Sequence, residues 1–409
     1  MSALRYGYVA GPLIGALWTF VMAVIACMVI SFATGEGLRP LLIPSLIFGA
    51  WLGFVWLPDG GRPREQRILW SVILALGPAL VFVLLRPAIV AAEATSTSTL
   101  VIAWLVFAVA SAWPLEIMLR PLPFGRATRH EFEDATIRFL TGFGYVFFTA
   151  IVAIPFYVMV MTSLKNQAEL LQNPLDFSID LSQGWGLFRS YRELFADFNF
   201  GIYLWTSFYV SVITVFLTLA FSVPGAYAVA RLRFKGQKAF SRSILLIYMV
   251  PMIVLALPIY IVFSVTGLRN TIFGLVLIYP VTTIPVALYM LQGYFRGLPA
   301  EVEEAGLMDG LNRLQVIWKI TLPLALPALA SVSLYVFMIA WNEFLLAFML
   351  LDDPSIFTLT RGIASLNSSE IPRQHLMAGS VIATVPIMIL FLGLERFMTK
   401  GLTAGSVKG

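Results

Sequence analysis

Acidic side chains and turn-forming residues are concentrated in residues 299–310. Pro299 favours a helix start, and the three glutamates of residues 301–304 fall in the first turns, where the helix dipole favours negative charge. Gly310 directly follows Asp309 and favours a left-handed turn that ends the helix. With no histidine or cysteine in this stretch, the chemistry that it offers is charged contact with another molecule.

A second short helix is predicted at 312–320, and Pro323 and Pro327 mark the return to apolar sequence. Two short helices joined by a tight turn make a rigid polar projection between two apolar stretches. Such a projection suits docking to a separate protein. We expect its own apolar contacts to be Val302, Ala305 and Leu307 or Met308.

Motifs of common catalytic and nucleotide-binding sites are missing from the sequence. It contains no Gly-x4-Gly-Lys-Ser/Thr loop and therefore no P-loop for ATP, and it contains no His-Glu-x-x-His. His130 and His375 fall in predicted loops, where a lone histidine is ordinarily solvated. The single cysteine, Cys27, excludes a disulfide framework and a cysteine metal cluster. We predict no catalytic residue, no metal site and no cofactor bound by this chain.

One acidic residue, Glu343, lies in an otherwise apolar stretch, next to Trp341 and Asn342. It lies 20 residues beyond Pro323, or about 30 Å of helix, which places it near the far end of a membrane-crossing helix. These three residues are candidates for a transport pathway or gate. An interfacial position beside the tryptophan is an equally good interpretation.

The composition indicates a membrane protein. The 409 residues are 59% hydrophobic and 12% charged, with a mean hydropathy of +0.87, whereas soluble domains carry about 25% charged residues. About ten charge-free intervals reach the ~18 residues that a membrane-crossing helix needs. They are 6–35, 40–58, 68–85, 94–115, 139–164, 201–230, 243–268, 270–295, 320–342 and 374–394. The predicted fold is an all-α polytopic membrane protein.

The net charge of +5 has a topological explanation. Most lysines and arginines fall in the loops on one side of the predicted spans, the side that holds both termini and residues 299–323. The positive-inside rule places that side in the cytoplasm. The basic residues therefore give no reason to expect nucleic-acid binding.

The spans form two groups. Residues 1–138 hold four closely spaced spans and a charged cytoplasmic linker, and residues 139–409 hold six spans with longer loops. The loops at about 165–200 and 351–375 are predicted to lie outside the cell membrane.

Residues 304–323 match the pattern Glu-Ala-Ala, three residues, Gly, nine residues, Ile-x-Leu-Pro, known as the EAA loop of ABC-importer permeases. Glu304, Ala305 and Gly310 fall in register with Ile320-x-Leu322-Pro323, and Gly306 replaces the second alanine. We call residues 300–323 the EAA segment. Together with the stretches at 155–170, 224–236, 341–347 and 376–409, it resembles the MalG-type permeases of carbohydrate ABC importers. The resemblance covers roughly 140–409.

This resemblance implies a six-helix type I importer core, with the four N-terminal helices as an addition. It implies a multi-pass protein of the cytoplasmic (inner) membrane that imports a sugar, such as a di- or oligosaccharide, although polyols and glycerol phosphate stay open. The implied partners are a MalF-type second permease, an ATPase dimer that binds ATP and Mg, and an extracytoplasmic sugar-binding protein. The implied ATPase-coupling residues are Glu304, Ala305, Gly306, Asp309 and Gly310. Arg361 and Asn367, in the 351–375 loop, are candidate contacts for the binding protein, and a plain solvated connector is an equally good interpretation of that loop.

Two other classes are compatible with a polytopic chain. A secondary transporter without an ATPase partner would need coupling-ion carboxylates within its spans, and acidic residues are nearly absent there. A membrane-embedded enzyme would need clustered polar or metal-binding residues at membrane depth, and the sequence shows no such cluster.

Overall fold

The structure is a computed structural model, and it describes residues 5–35, 38–57, 89–91, 97–172, 178–179, 181–248, 250–368 and 371–403. Packing divides the chain into two compact units, Met1–Leu187 and Phe188–Gly409. The predicted boundary at 138/139 lies within one continuous helix, Arg129–Ser163. The division into residues 1–138 and 139–409 stays a prediction, because it concerns the extent of the permease core and not packing.

The first unit consists mainly of long apolar helices. Its elements are α1 (Gly7–Thr34), β1 (Leu38–Pro40), α2 (Leu42–Val55), β2 (Ile89–Ala91), α3 (Thr97–Leu119), α4 (Arg129–Ser163), α5 (Gln167–Gln172) and a 3-10 stretch at Leu181–Phe188 that reaches the unit boundary. The two strands pair antiparallel, with Leu38 opposite Ala91. A capping box between Thr128 and Glu131 begins α4, which satisfies backbone N–H groups that the first helical turn leaves unpaired.

Glycines bring α1 and α2 into backbone contact. Gly11 and Gly15 on α1 face Gly53 and Gly49 on α2, each pair being spaced by four residues. A Cβ atom on Gly15 would lie 2.2 Å from the Gly49 carbonyl oxygen, and one on Gly53 would lie 2.1 Å from the Gly11 carbonyl oxygen. Small residues at this spacing let membrane helices approach closely. This contact leaves no room for a side chain.

The second unit contains the EAA segment. Its elements are α6 (Arg189–Asp197), α7 (Phe200–Arg231), α8 (Gln237–Tyr248), α9 (Met252–Val265), α10 (Ile272–Gly297), α11 (Ala300–Met308), α12 (Arg313–Val316), a π-helical turn (Ile317–Thr321), α13 (Leu322–Leu324), α14 (Leu326–Trp341), α15 (Leu345–Leu350), a 3-10 turn (Pro354–Ile356), α16 (Leu359–Ser365) and α17 (Arg373–Thr403). The α7 and α10 helices pack along their length, and the Thr218 and Thr283 hydroxyls lie 2.6 Å apart in their buried contact. A hydroxyl pair satisfies two polar groups that lipid could not.

The all-α membrane class is confirmed. Among the described residues, five helices are long and apolar enough to cross a membrane, or six if the bent pair Arg313–Leu324 and Leu326–Trp341 forms one span. Three further apolar helices are shorter: Leu42–Val55, Leu105–Leu119 and Met252–Val265. The span predicted at 68–85 lies outside the described residues. The count of about ten spans therefore stays a prediction.

Candidate functional site

The EAA segment begins with a short helix whose end has a well-defined geometry. Helix α11 follows Pro299 and ends at Met308, with Asp309 as its C-cap. Gly310 has φ of 88°, the left-handed conformation that glycine adopts without steric cost. The Gly310 N–H donates to the Leu307 carbonyl at 3.2 Å, and the Leu311 N–H donates to the Gly306 carbonyl at 3.1 Å. These two bonds form a Schellman motif, which confirms the predicted left-handed turn.

Glu303 holds this helix to the rest of the unit. Its side chain is buried, at 8% exposure. The Tyr227 hydroxyl donates to Glu303 Oε2 at 3.2 Å, and the Thr321 hydroxyl donates to Oε1 at 3.0 Å. Arg231 Nε lies 3.5 Å from Oε1 in an ion pair that is mostly buried on both sides. A further guanidinium nitrogen of Arg231 donates to the Leu298 carbonyl at 2.6 Å. The carboxylate therefore joins α11 to the end of α7 and to the π-helical turn.

Sequence reasoning did not single out Glu303 or its three partners. The available signal was the three-residue spacing of Glu303 and Gly306, which puts both on one helix face. Gly306 is also buried, and a Cβ atom there would lie 2.5 Å from Ile320 Cδ1. The replacement of alanine by glycine at 306 therefore lets Ile320 pack directly against the helix backbone.

The opposite face of α11 is open. Glu304, Ala305, Asp309 and Gly310 are exposed. The structure thus puts four of the five predicted coupling residues on the surface and buries Gly306. Their contact with an ATPase stays a prediction.

Of the apolar contacts expected for α11, Leu307 is half-buried, and the others were wrong. Val302 and Ala305 are exposed, and Met308 is 87% exposed. Two apolar side chains of the next turns, Leu314 and Trp318, are 69% and 71% exposed. The inner face of α11 holds Gly306 and the polar Glu303 network, and the exposed Val302 and Met308 lie away from it. Exposed apolar groups beside carboxylates are typical of a contact surface.

A bend follows the second helix of the segment. Asn312 and Gln315 form a capping box that begins α12. Residues Arg313–Leu324 and Leu326–Trp341 meet at 75°, and the fully buried Ala325 lies between them. The Tyr294 hydroxyl donates to the Leu324 carbonyl at 2.9 Å. This bond satisfies one of the carbonyl groups that a helix break leaves unpaired.

The three candidate pathway residues have structural contacts. Trp341 is buried and its indole N–H donates to the Ala383 carbonyl at 3.1 Å, while exposed Asn342 donates to the Met338 carbonyl at 2.8 Å. The Glu343 carboxylate accepts the N–H groups of Leu346 and Ala347 at 2.8 and 3.0 Å. It thereby caps α15. A pathway or gate role for the three residues stays a prediction.

Arg361 and Asn367 differ in their surroundings. The Arg361 guanidinium lies 4.8 Å from the Phe348 ring centre and 4.3 Å from that of Phe357, two cation–π contacts that fix its position. Asn367 is exposed just after α16. Their contact with a binding protein is untested.

His375 is not solvated as expected. It lies in the first turn of α17, is 5% exposed and forms a 2.8 Å hydrogen bond between Nε2 and Glu193 Oε2. Hydrogen bonds from Arg189, and then from His375, lower the pKa of Glu193. This pair fixes the start of α17 against α6. His130 is exposed, but it lies in the first turn of α4 and not in a loop.

Comparison with known proteins identifies the family. Residues 222–403 match the family described as binding-protein-dependent transport system inner membrane component. The inner membrane ABC transporter permease protein YcjP of Escherichia coli (strain K12) is 39% identical to this chain, and the match covers 65% of this chain and 95% of that protein. The chain belongs to this permease family. The EAA segment of the permease lies inside the matched residues.

Another relative and a solved structure are also similar to this permease. The trehalose/maltose transport system permease protein MalG of Thermococcus litoralis is 33% identical, with 68% of this chain and 99% of that protein covered. A chain of a bacterial ABC transporter involved in the import of the acidic polysaccharide alginate superposes with a TM-score of 0.56 at 24% identity, covering 66% of this chain and 98% of that one. This superposition shows that the permease shares the fold of that chain.

Proposed function

We propose that this permease imports a sugar, specifically a di- or oligosaccharide, together with a MalF-type second permease. The proposal is supported by the names of its relatives, which are permeases for trehalose/maltose, trehalose, diacetylchitobiose and arabinooligosaccharides. The two permeases form the pathway between them. An extracytoplasmic binding protein delivers the sugar, and a separate ATPase dimer binds ATP and Mg and drives transport.

The observation that carries this proposal is the two-sided structure of α11. One face is fixed by the buried Glu303, and the other presents Glu304, Ala305, Asp309 and Gly310 to solvent. A rigid helix with an exposed charged and apolar face fits a cleft in a partner ATPase. Glu304 supplies the charged contact, and Gly310 gives the turn its shape.

The orientation follows from the same assignment. The EAA segment faces the ATPase in the cytoplasm, and both termini lie on that side, in accord with the positive-inside rule. The 351–375 loop then faces the binding protein, with Arg361 and Asn367 near the contact. Alanine at either position should lower the stimulation of ATP hydrolysis by the binding protein.

The coupling role is tested by Glu304→Ala and Gly310→Asp. Removal of one partner of a desolvated charge pair at an interface costs about 2–5 kcal/mol, so Glu304→Ala should lose the ATPase during purification and lose sugar uptake. Gly310→Asp should lose both because it places a side chain on a left-handed turn at the surface that meets the ATPase. Exposed Glu301, on the same helix, provides the control Glu301→Gln, which should retain the ATPase. Normal ATPase retention together with normal uptake in both variants would contradict the coupling role.

A further inference from the structure

The buried Glu303 carboxylate has contacts that differ from those of a solvated helix residue. Its two oxygens receive groups from separate parts of the fold: Tyr227 on α7 and Thr321 at the π-helical turn, with Arg231 in an ion pair. An ionised carboxylate only accepts hydrogen bonds, and all three neighbours can donate. Bonds to an ionised group are roughly twice as strong as bonds between neutral groups.

The residues that contact Glu303 lie next to long apolar helices. Tyr227 and Arg231 lie in the last two turns of α7, a 32-residue helix that is long enough to cross a membrane. Thr321 ends the π-helical turn that leads into the bend at Ala325 and then into α14. A displacement of α11 must therefore move the end of α7 and the π-helical turn that precedes α14, or break the bonds to Glu303.

The adjacent glutamates point to different sides. Successive residues of a helix are separated by about 100° around its axis, and Glu303 is buried while Glu304 is exposed. The outer face can bind a partner without disturbing the inner network. One helix thus offers separate side chains for binding a partner and for contact with the rest of the unit.

We propose that Glu303 is the positioning residue that transmits movement of the EAA segment to α7 and α14. This inference rests on the proposed function, since it assumes an ATPase bound to the outer face of α11. It adds that a change at Glu303 separates ATP hydrolysis from transport without releasing the ATPase.

The test compares Glu303→Gln with Glu301→Gln in the assembled complex with its ATPase. Glutamine has the same size and keeps one oxygen acceptor, but it removes the charge that faces Arg231. We expect the ATPase to co-purify at the wild-type ratio with both variants. For Glu303→Gln, the sugar transported per ATP hydrolysed should fall roughly tenfold, within the usual range of coupling factors between sites. Glu301→Gln should keep the wild-type ratio.

A second variant keeps the test decisive if Glu303→Gln assembles poorly because Arg231 is left unpaired. Replacing both members of a buried ion pair by apolar residues of similar size often preserves folding. In Glu303→Met combined with Arg231→Met, assembly should recover while transport per ATP stays low, because methionine offers no carboxylate oxygen to accept the hydrogen bonds of the Tyr227 and Thr321 hydroxyls.

The outcomes separate this inference from the proposed function. A wild-type permease that neither retains an ATPase nor shows ATP-dependent uptake contradicts the proposed function. A wild-type complex that works, with a normal transport-to-ATP ratio in either Glu303→Gln or the double methionine variant, overturns the role of Glu303 alone. Loss of the ATPase from the double methionine variant, to the same extent as from Glu304→Ala, also overturns it.

Discussion

Two helix contacts in this protein are built in opposite ways. Helices α1 and α2 of the first unit meet through glycines, so that backbone lies against backbone. In the second unit, α11 is held by one buried carboxylate with directional bonds to Tyr227, Thr321 and Arg231. The glycine contact depends on shape and tolerates no added atom. The carboxylate contact depends on charge and bond direction, and its partners can move together with it.

The largest effect is expected from filling the glycine contact. In Gly15→Leu the new Cβ would start 2.2 Å from the Gly49 carbonyl oxygen, and backbone cannot yield as a side chain can. We expect a loss of about 3 kcal/mol or more in the free energy of unfolding, at the upper end of overpacking effects. The measurement is the thermal unfolding midpoint in detergent, followed by tryptophan fluorescence.

Gly144→Leu is the matched control for this experiment. Gly144 lies in α4 of the same unit, and a Cβ atom there would meet nothing within 4 Å. Leucine is also a better helix former than glycine, by roughly 0.5–1 kcal/mol. Equal midpoints for the two leucine variants would show that α1 and α2 are not in backbone contact.

The next effect concerns the two glycines of the EAA segment. Gly310→Ala places a side chain in a left-handed conformation and should destabilise by about 1–2 kcal/mol. In Gly306→Ala the close contact is with the flexible end of Ile320, at 2.5 Å, while Val316 and Leu311 lie at ordinary contact distances of 3.5 and 3.6 Å. The change also gains helix propensity of about 1 kcal/mol. The second variant should therefore be close to neutral in the same unfolding assay. The reverse order would contradict the assigned turn geometry.

A smaller effect is expected from trimming the carboxylate network. Tyr227→Phe and Thr321→Val each remove one hydroxyl bonded to Glu303 and should each cost about 1 kcal/mol. In the Glu303→Gln background the same two changes should cost less, because the stability effects of substitutions at residues in contact are not additive. A double-mutant cycle on the unfolding free energy measures this. Strict additivity would mean that the hydroxyls do not act through Glu303.

The smallest effect on stability belongs to Glu304→Ala. The residue is exposed, and surface substitutions usually change stability by no more than about 0.5 kcal/mol. Its unfolding midpoint should equal that of the wild type even though ATPase retention is lost. A large shift in the midpoint would mean that Glu304, like its neighbour, belongs to the internal network.

Local signals in the sequence predicted the elements well. The apolar interval 6–35 became α1, at Gly7–Thr34, because a long run without charges has few alternatives to a helix in lipid. Asp309-Gly310 became a left-handed turn, because glycine adopts that conformation without steric cost. In both cases the cause lies within a few residues of the effect.

The sequence does not predict contacts between residues that are far apart along the chain. Tyr227 and Glu303 are 76 positions apart, and nothing local distinguishes Glu303 from the glutamates beside it. The sequence makes Arg361 a candidate for a binding-protein contact. It does not show which aromatic rings surround the guanidinium, because that depends on how residues 357–361 fold against α15. The sequence gives no sign that His375 is buried, because its partner Glu193 is 182 residues away. Such contacts can be predicted only when the three-dimensional fold is known.

The bend at Ala325 would convert a displacement of one helical arm into a larger displacement of the other. Its two arms, Arg313–Leu324 and the 16-residue α14, meet at 75° and measure about 18 and 24 Å at the usual helical rise. If the bend turns as one rigid body about Ala325, a sideways shift of about 2 Å at the first arm's end swings the second arm's end by about 3 Å, in proportion to these lengths. The angle also changes the direction of the movement. A displacement perpendicular to the first arm becomes a tilt of the second arm. The ratio of the two displacements is therefore set by the number of residues in the helical arm on each side of Ala325.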